Sequence, residues 1–237
     1  MIKLVNLNKI YDNKVILDNV NLEINKGEII GLSAPNAEGK STFLKILGGQ
    51  ISFDSGEYYF QGKAFNYKDK GLIGYMNDTP IMPNGWKVKE CIDYYNEYFK
   101  TFNVEKSLNM LKRFNVNLNT KIRNLSKGEN EKLHLALALG IDGVLYILDE
   151  PLAAIDLIAR EEIISIILEN FSSESTMIIS SHLVADIERM LDRVILLKNG
   201  KIEKNLLVED LRMKGKSVVK LYKEVYGREN SEEKLAR

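Results

Sequence analysis

Apolar and polar residues alternate along the first part of the chain. "IKLVNL" (2–7) and "VNLEI" (20–24) place apolar side chains at every second position, the period of a half-buried strand, and "DNK" (12–14) between them is a turn. "EIIGL" (28–32) is a short apolar run that reads as a buried strand, and "GKSTFLKILGG" (39–49) as a helix stopped by Gly48 and Gly49. "GEYYFQGK" (56–63) reads as a hairpin strand and "LIGYM" (72–76) as a further short buried strand. From about Lys87 the period becomes helical. "VKECIDYYNEYFKTF" (88–102) and "VEKSLNMLKRFNV" (104–116) are amphipathic, and "LSKGENEKLHLALALGI" (125–141) is helical with a polar start. Strand runs return with "GVLYILDE" (143–150), "STMIISSH" (175–182) and "DRVILLKNGKI" (192–202), with "DLIAREEIISIILENF" (156–171) as a helix between the first two. Strand–helix alternation predicts an α/β core with a largely parallel sheet, interrupted by a helical block near 80–140.

Composition narrows the class. The 237 residues suit one sizeable domain with an inserted subdomain. Lys+Arg and Asp+Glu both number 33, so the chain lacks the basic excess that electrostatic nucleic-acid binding needs, and no nucleic-acid partner is expected. The single cysteine, Cys91, excludes an intrachain disulfide and reads as an inert, partly buried thiol, which fits a reducing compartment. The N-terminus carries no apolar run of the secretory kind, and no window approaches the roughly 18 apolar residues of a membrane span.

Candidate chemistry begins at "APNAEGKS" (34–41). It follows a strand and opens a helix, where free backbone N–H groups and the positive end of the helix dipole favour an anion. Gly39, Lys40 and Ser41 fit the G-x-x-x-x-G-K-[ST] phosphate loop, in which the lysine reaches the β- and γ-phosphates and the hydroxyl ligates Mg²⁺. Ala34 stands at the first glycine position. A methyl group there costs about 1–2 kcal/mol if the backbone is left-handed, and little if φ is negative. "VLYILDEP" (144–151) is an apolar strand ending in adjacent carboxylates, at the edge where nucleotide sites form in open α/β sheets. Asp149 is placed to hold Mg²⁺ and Glu150 to polarise an attacking water. His134 has no such context and reads as a helix-packing residue.

Taken in order, these segments resemble the ATPase subunit of ABC transporters over nearly the whole chain. Tyr11 falls where that family stacks an aromatic ring on adenine, and "GLSAPNAEGKST" (31–42) looks like its Walker A loop. "LSKGE" (125–129) is similar to the signature, "YILDE" (146–150) to Walker B, "AAID" (153–156) to the D-loop and "SSH" (180–182) to the switch histidine. "IGYMND" (73–78) reaches the Q-loop position at Asp78. The wording around them looks most like exporter ATPases of the ABC-2 or antibiotic-resistance kind, with separately encoded permeases.

The resemblance implies a P-loop NTPase core of the ABC type with an antiparallel β subdomain and an inserted helical subdomain at about 80–140. The ATPase domain would span 1–215, and a C-terminal helix and polar tail 216–237. It implies ATP and Mg²⁺ as cofactors. Tyr11, Asn36, Ala37, Gly39, Lys40, Ser41 and Thr42 would bind nucleotide, Ser41, Asp78 and Asp149 the metal, and Glu150 and His182 would act in hydrolysis. It also implies a head-to-tail homo- or heterodimer, in which Ser126 and Gly128 of one subunit cap the γ-phosphate held by the other. The partner would be an integral membrane permease, with the ATPase in the cytoplasm, peripheral on the inner face of the cell membrane. Three positions depart from the pattern: Ala34 and Ala37 replace glycine, and Asp78 stands where glutamine or glutamate is usual. Lys127, in place of a small glycine, adds charge near the phosphate or is a solvated lysine. Trp86 and Met82 line a permease-docking groove, or Trp86 anchors the helical subdomain. The alternative functional reading is a soluble non-transport ABC ATPase or an ATP-dependent regulatory protein.

Overall fold

The structure, a computed structural model, describes residues 1–35, 38–79, 82–182 and 184–227. Among the described residues the chain forms two sheets and eight α-helices. The first sheet is antiparallel, in the order β2 (Lys14–Ile24), β1 (Ile2–Tyr11), β4 (Ser55–Phe60), β5 (Lys63–Ala64). The expected turn between β1 and β2 is Asp12–Asn13, with φ of 46° and 63°, the two-residue form whose twist suits a hairpin. Gln61 and Gly62, with φ of 52° and 78°, turn β4 into β5 in the same way.

The second sheet has the order β10 (Lys201–Leu207), β9 (Arg193–Lys198), β3 (Ile29–Ser33), β8 (Thr176–Ser180), β7 (Leu145–Asp149), β6 (Ile73–Met76). The strands from β9 to β6 are parallel and β10 is antiparallel to β9. One expectation is corrected here. The stretch 192–202, read as one strand run, is a hairpin. Asn199 and Gly200 take φ of 50° and 71° and reverse the chain, and Asn-Gly is the strongest short hairpin signal.

Each parallel strand is buried on both faces, and its side chains still sort by alternation. Ile30, Leu32, Ile147, Ile178 and Ile195 face a layer formed by α1 (Lys40–Leu47) and the antiparallel sheet. There Phe43, Leu44 and Leu47 of α1 meet Leu4, Leu7, Leu17, Tyr58 and Phe60. Ile29, Tyr146, Leu148, Met177, Ile179, Val194 and Leu196 face the other layer. That layer holds α5 (Leu157–Glu169), α6 (Val184–Ile187), α7 (Val208–Met213), α8 (Val218–Tyr226) and the helical block. The block, α2 (Val88–Tyr98), α3 (Val104–Arg113) and α4 (Lys127–Leu139), lies between β6 and β7 in the chain, as the helical period predicts. Ser126 caps α4 reciprocally with Glu129: Glu129 N donates to Ser126 Oγ (3.2 Å) and Ser126 N to Glu129 Oε2 (2.8 Å). The second half of α4, from Leu133, is buried all round, because it runs between β6 and the other helices.

Two smaller expectations meet the packing directly. Met82 is buried in the core, whereas Trp86 is half-buried with its ring 5.5 Å from that of the exposed Tyr94. Cys91 is fully buried and its thiol pKa is pushed up to about 12, chiefly by burial, so it is the inert thiol its sequence context suggested. Among the described residues no helix is long and apolar enough to cross a membrane.

Candidate nucleotide site

Four neighbouring parallel strands, β3, β8, β7 and β6, end on the same edge of the sheet. Their C-terminal ends carry the phosphate-like loop, His182, Asp149 with Glu150, and Asp78, respectively. This is where an open α/β sheet offers a crevice. The residues meet around one cavity of about 370 Å³, lined by Lys14, Ile16, Pro35, Gly39, Lys40, Ser41, Thr42, Asp78, Asp149, Glu150 and His182.

The loop enters α1 through Gly39, whose φ of 90° only glycine holds without strain. A Cβ there would lie 2.8 Å from the Ile16 carbonyl oxygen, so the position excludes a side chain twice over. The N–H groups of the first helical turn, at Lys40 to Thr42, have no acceptor four residues back within the helix, and these residues line the cavity. Ala34 is fully buried in the layer under β3, and its φ is not among the positive ones. The methyl group that replaces glycine there therefore adds packing without left-handed strain.

Glu150 stands just past the end of β7 with φ of 56°, unusual for a residue with a side chain. Its N–H donates to Ser180 Oγ (3.0 Å) and the Ser180 carbonyl (3.2 Å), which holds it in that conformation. Its carboxylate accepts from Lys40 Nζ through Oε1 and from the His182 backbone N–H through Oε2 (3.2 Å). His182 Nε2 lies 3.3 Å from Glu150 Oε1 and 3.4 Å from Lys40 Nζ. A cation, an acid and an imidazole thus share one point. Asp149 is almost wholly buried. Ser180 Oγ–H donates to its Oδ1, while Oδ2 has no hydrogen-bond partner among the described residues. Burial pushes its carboxyl above the ordinary carboxylate range, against the Ser180 hydrogen bond and the Lys40 charge and with help from Asp78 and Glu150.

Of the site residues anticipated, Gly39, Lys40, Ser41, Thr42, Asp78, Asp149, Glu150 and His182 come together here. Asn36 and Ala37 lie outside the described residues. Tyr11 is 43 % exposed and pairs with Lys14 across the β1–β2 turn, and this hairpin lines the cavity with Lys14 and Ile16. Ser126 and Gly128 sit apart, at the N-terminus of α4, where Gly128 approaches the Ala154 carbonyl and Glu131 Oε2 accepts from Ala154 N (3.0 Å). Sequence reasoning missed Ser180, which orients both acids. The signal was the serine run before His182, but a strand-end serine carries no mark of its partner. It also missed Lys14 and Ile16, which become neighbours of the loop only through the hairpin's fold.

The profile of the ABC transporter family matches residues 17–153. The lantibiotic transport ATP-binding protein SrtF of Streptococcus pyogenes is 34% identical over 207 residues, covering 85% of this chain and 89% of that protein. Among solved structures, an ATP-binding subunit of an ABC transporter superposes with a TM-score of 0.85 at 22% identity, over 94% of this chain and 98% of that one. The dimeric, post-hydrolysis ATP-binding cassette MJ0796 bound to ADP and Pi is 26% identical with a TM-score of 0.75, over 87% of this chain and 98% of that one. The chain belongs to the ABC transporter family. Within it, the fold is that of the ATP-binding cassette, and the activity is that of an ATPase.

Proposed function

We propose that the chain is the motor subunit of a membrane exporter, binding and hydrolysing ATP on the inner face of the membrane beside a separately encoded permease. The observation that carries this reading is the convergence of Lys40, Asp149, Glu150 and His182 from three strand ends on one cavity. The relative SrtF, named for lantibiotic transport, supports a transport role.

The residues supply the chemistry as follows. Lys40 and the N–H groups opening α1 hold the β- and γ-phosphates, and Tyr11, exposed beside Lys14, stacks on adenine. The buried, unpartnered Oδ2 of Asp149, the Ser41 hydroxyl and Asp78 form an all-oxygen donor set on one cavity, which fits Mg²⁺. Bound there, Mg²⁺ would neutralise charge on the phosphates. Phosphate oxygens entering the cavity compete with Glu150 for Lys40, and the released carboxylate accepts a proton from the attacking water. The water oxygen bonds to the γ-phosphorus, the bond to the β–γ bridging oxygen breaks, and ADP and phosphate leave. His182, beside Glu150 and Lys40, orients the γ-phosphate. Ser126 and Gly128 are not among the residues lining this cavity, so a second ATPase subunit, identical or different, brings its own pair to the γ-phosphate.

Glu150→Gln tests the reading. ATP binding should persist while turnover falls about 10²–10⁴-fold, and light scattering should show an ATP-dependent dimer. A variant that turns over at the wild-type rate, or stays monomeric at saturating ATP with every candidate partner chain, overturns it.

A further inference from the structure

The last of the described helices carries none of the recognisable motifs, yet hydrogen bonds tie both its ends to segments that flank the site. Tyr226, at the C-terminal end of α8, is 4 % exposed. Its hydroxyl lies between two backbone carbonyls and shares its one proton between Leu197 O (2.6 Å) in β9 and, more weakly, Ser33 O (3.3 Å), the last residue of β3. Pairing between these parallel strands ends at Ser33 opposite Leu196, so the tyrosine continues the ladder by one side-chain contact where the phosphate loop departs. The loop's other end is tied to the same unit. Asn199 N, in the β9–β10 turn, donates to the Glu38 carboxylate, next to Gly39. Lys198, the last residue of β9, donates to the Val225 carbonyl (3.3 Å) near the end of α8. At the near end of the helix, Val218 N donates to Glu188 Oε1 (2.9 Å), just beyond α6, the helix that follows His182. The helix is thus tied to the strand end from which the phosphate loop departs and to the segment just beyond α6.

We propose that Tyr226 is a positioning residue for the phosphate loop. Its hydroxyl fixes the Ser33 carbonyl and with it the direction in which the chain leaves β3. Ala34 follows at once, buried and without glycine's backbone freedom, so an error in direction at Ser33 passes into the loop instead of being absorbed. Tyr226 touches no nucleotide, and its effect is on ATP affinity, not on the chemical step. The proposal rests on the reading that this loop binds ATP.

The test uses the full chain, with Mg-ATP binding by calorimetry and steady-state turnover. Tyr226→Phe keeps the ring and removes the hydroxyl. The loss of one buried hydrogen bond should raise Kd and KM for ATP about threefold to tenfold, with kcat within about twofold of wild type. Tyr222→Phe, one turn back with its ring 4.6 Å from that of Tyr226, should leave KM unchanged. An unchanged KM in folded Tyr226→Phe, a fall in kcat alone, or an equal shift in Tyr222→Phe overturns the proposal. Hydrogen exchange of the unaltered chain covers the case in which the variant does not fold. Mg-ATP should slow exchange in 218–226 together with the loop, and ATP-insensitive exchange in that helix overturns the assignment. An unaltered chain that binds no Mg-ATP refutes the nucleotide reading itself, a result distinct from equal binding by chain and variant.

Discussion

At the scale of single residues, the site mixes positions that the pattern made legible with positions that only the fold explains. Gly39, Lys40, Asp149 and Glu150 were legible because the chemistry needs those residue types next to a strand end. The consequence of Ala34 was not, because a sequence does not carry φ. The buried, unstrained alanine predicts that Ala34→Gly leaves ATP affinity within about twofold and lowers the melting temperature by about 2–4 °C, the cost of added backbone freedom. Calorimetry showing markedly tighter binding would mean that the methyl group does strain the loop. Asp149 predicts the opposite trade. An acid buried with one unpartnered oxygen, its ionised form disfavoured by burial, opposes folding of the nucleotide-free chain at neutral pH. Asp149→Asn keeps an acceptor for Ser180. It should raise the melting temperature by about 2–4 °C while abolishing Mg-dependent ATP binding. A lower melting temperature would contradict this account of Asp149.

At the scale of elements, the helices and strands were largely readable, since 3.6- and 2-residue periods follow directly from which face is buried. The exceptions are places where a turn overrides the period. Asn199-Gly200 breaks an apolar run into β9 and β10, and the helical pattern of 88–102 stops at Tyr98 as Phe99 turns extended with φ of −114°. Helix α4 shows what burial does to a polar residue within an element. His134 Nδ1 donates to the Asn130 carbonyl (2.8 Å), and Nε2 is buried without a partner among the described residues. Burial holds its pKa below the ordinary 6.5, with the Asn130 bond opposing. Just below that value the folded chain binds fewer protons at His134 than the unfolded chain does. Stability therefore rises with pH through this window and is lost as pH falls through it. Between about pH 7 and pH 5, the melting temperature of the wild-type chain should fall further than that of His134→Leu. Equal falls would place the acid sensitivity elsewhere.

At the scale of the whole molecule, two surfaces carry the proposed partnerships. On the helical block, Trp86, Tyr94 and Tyr98 form a run of rings, 5.5 Å and 4.6 Å between successive centroids, with Tyr98 63 % exposed. If this face receives a permease helix, Trp86→Ala should keep ATP affinity within about twofold yet lose co-purification with the permease. Normal co-purification of a folded variant would sink the docking assignment. The other surface is divided. Lys40 and Glu150 line the cavity and Ser126, at the start of α4, does not, so in the proposed head-to-tail dimer each chain carries half of two different sites. Defects on the two faces are therefore complementary in the geneticist's sense. In a dimer of identical chains, pairing a Lys40→Ala subunit with a Ser126→Ala subunit gathers both lesions into one site and leaves the other whole, so two inactive alleles expressed together can restore a working pump.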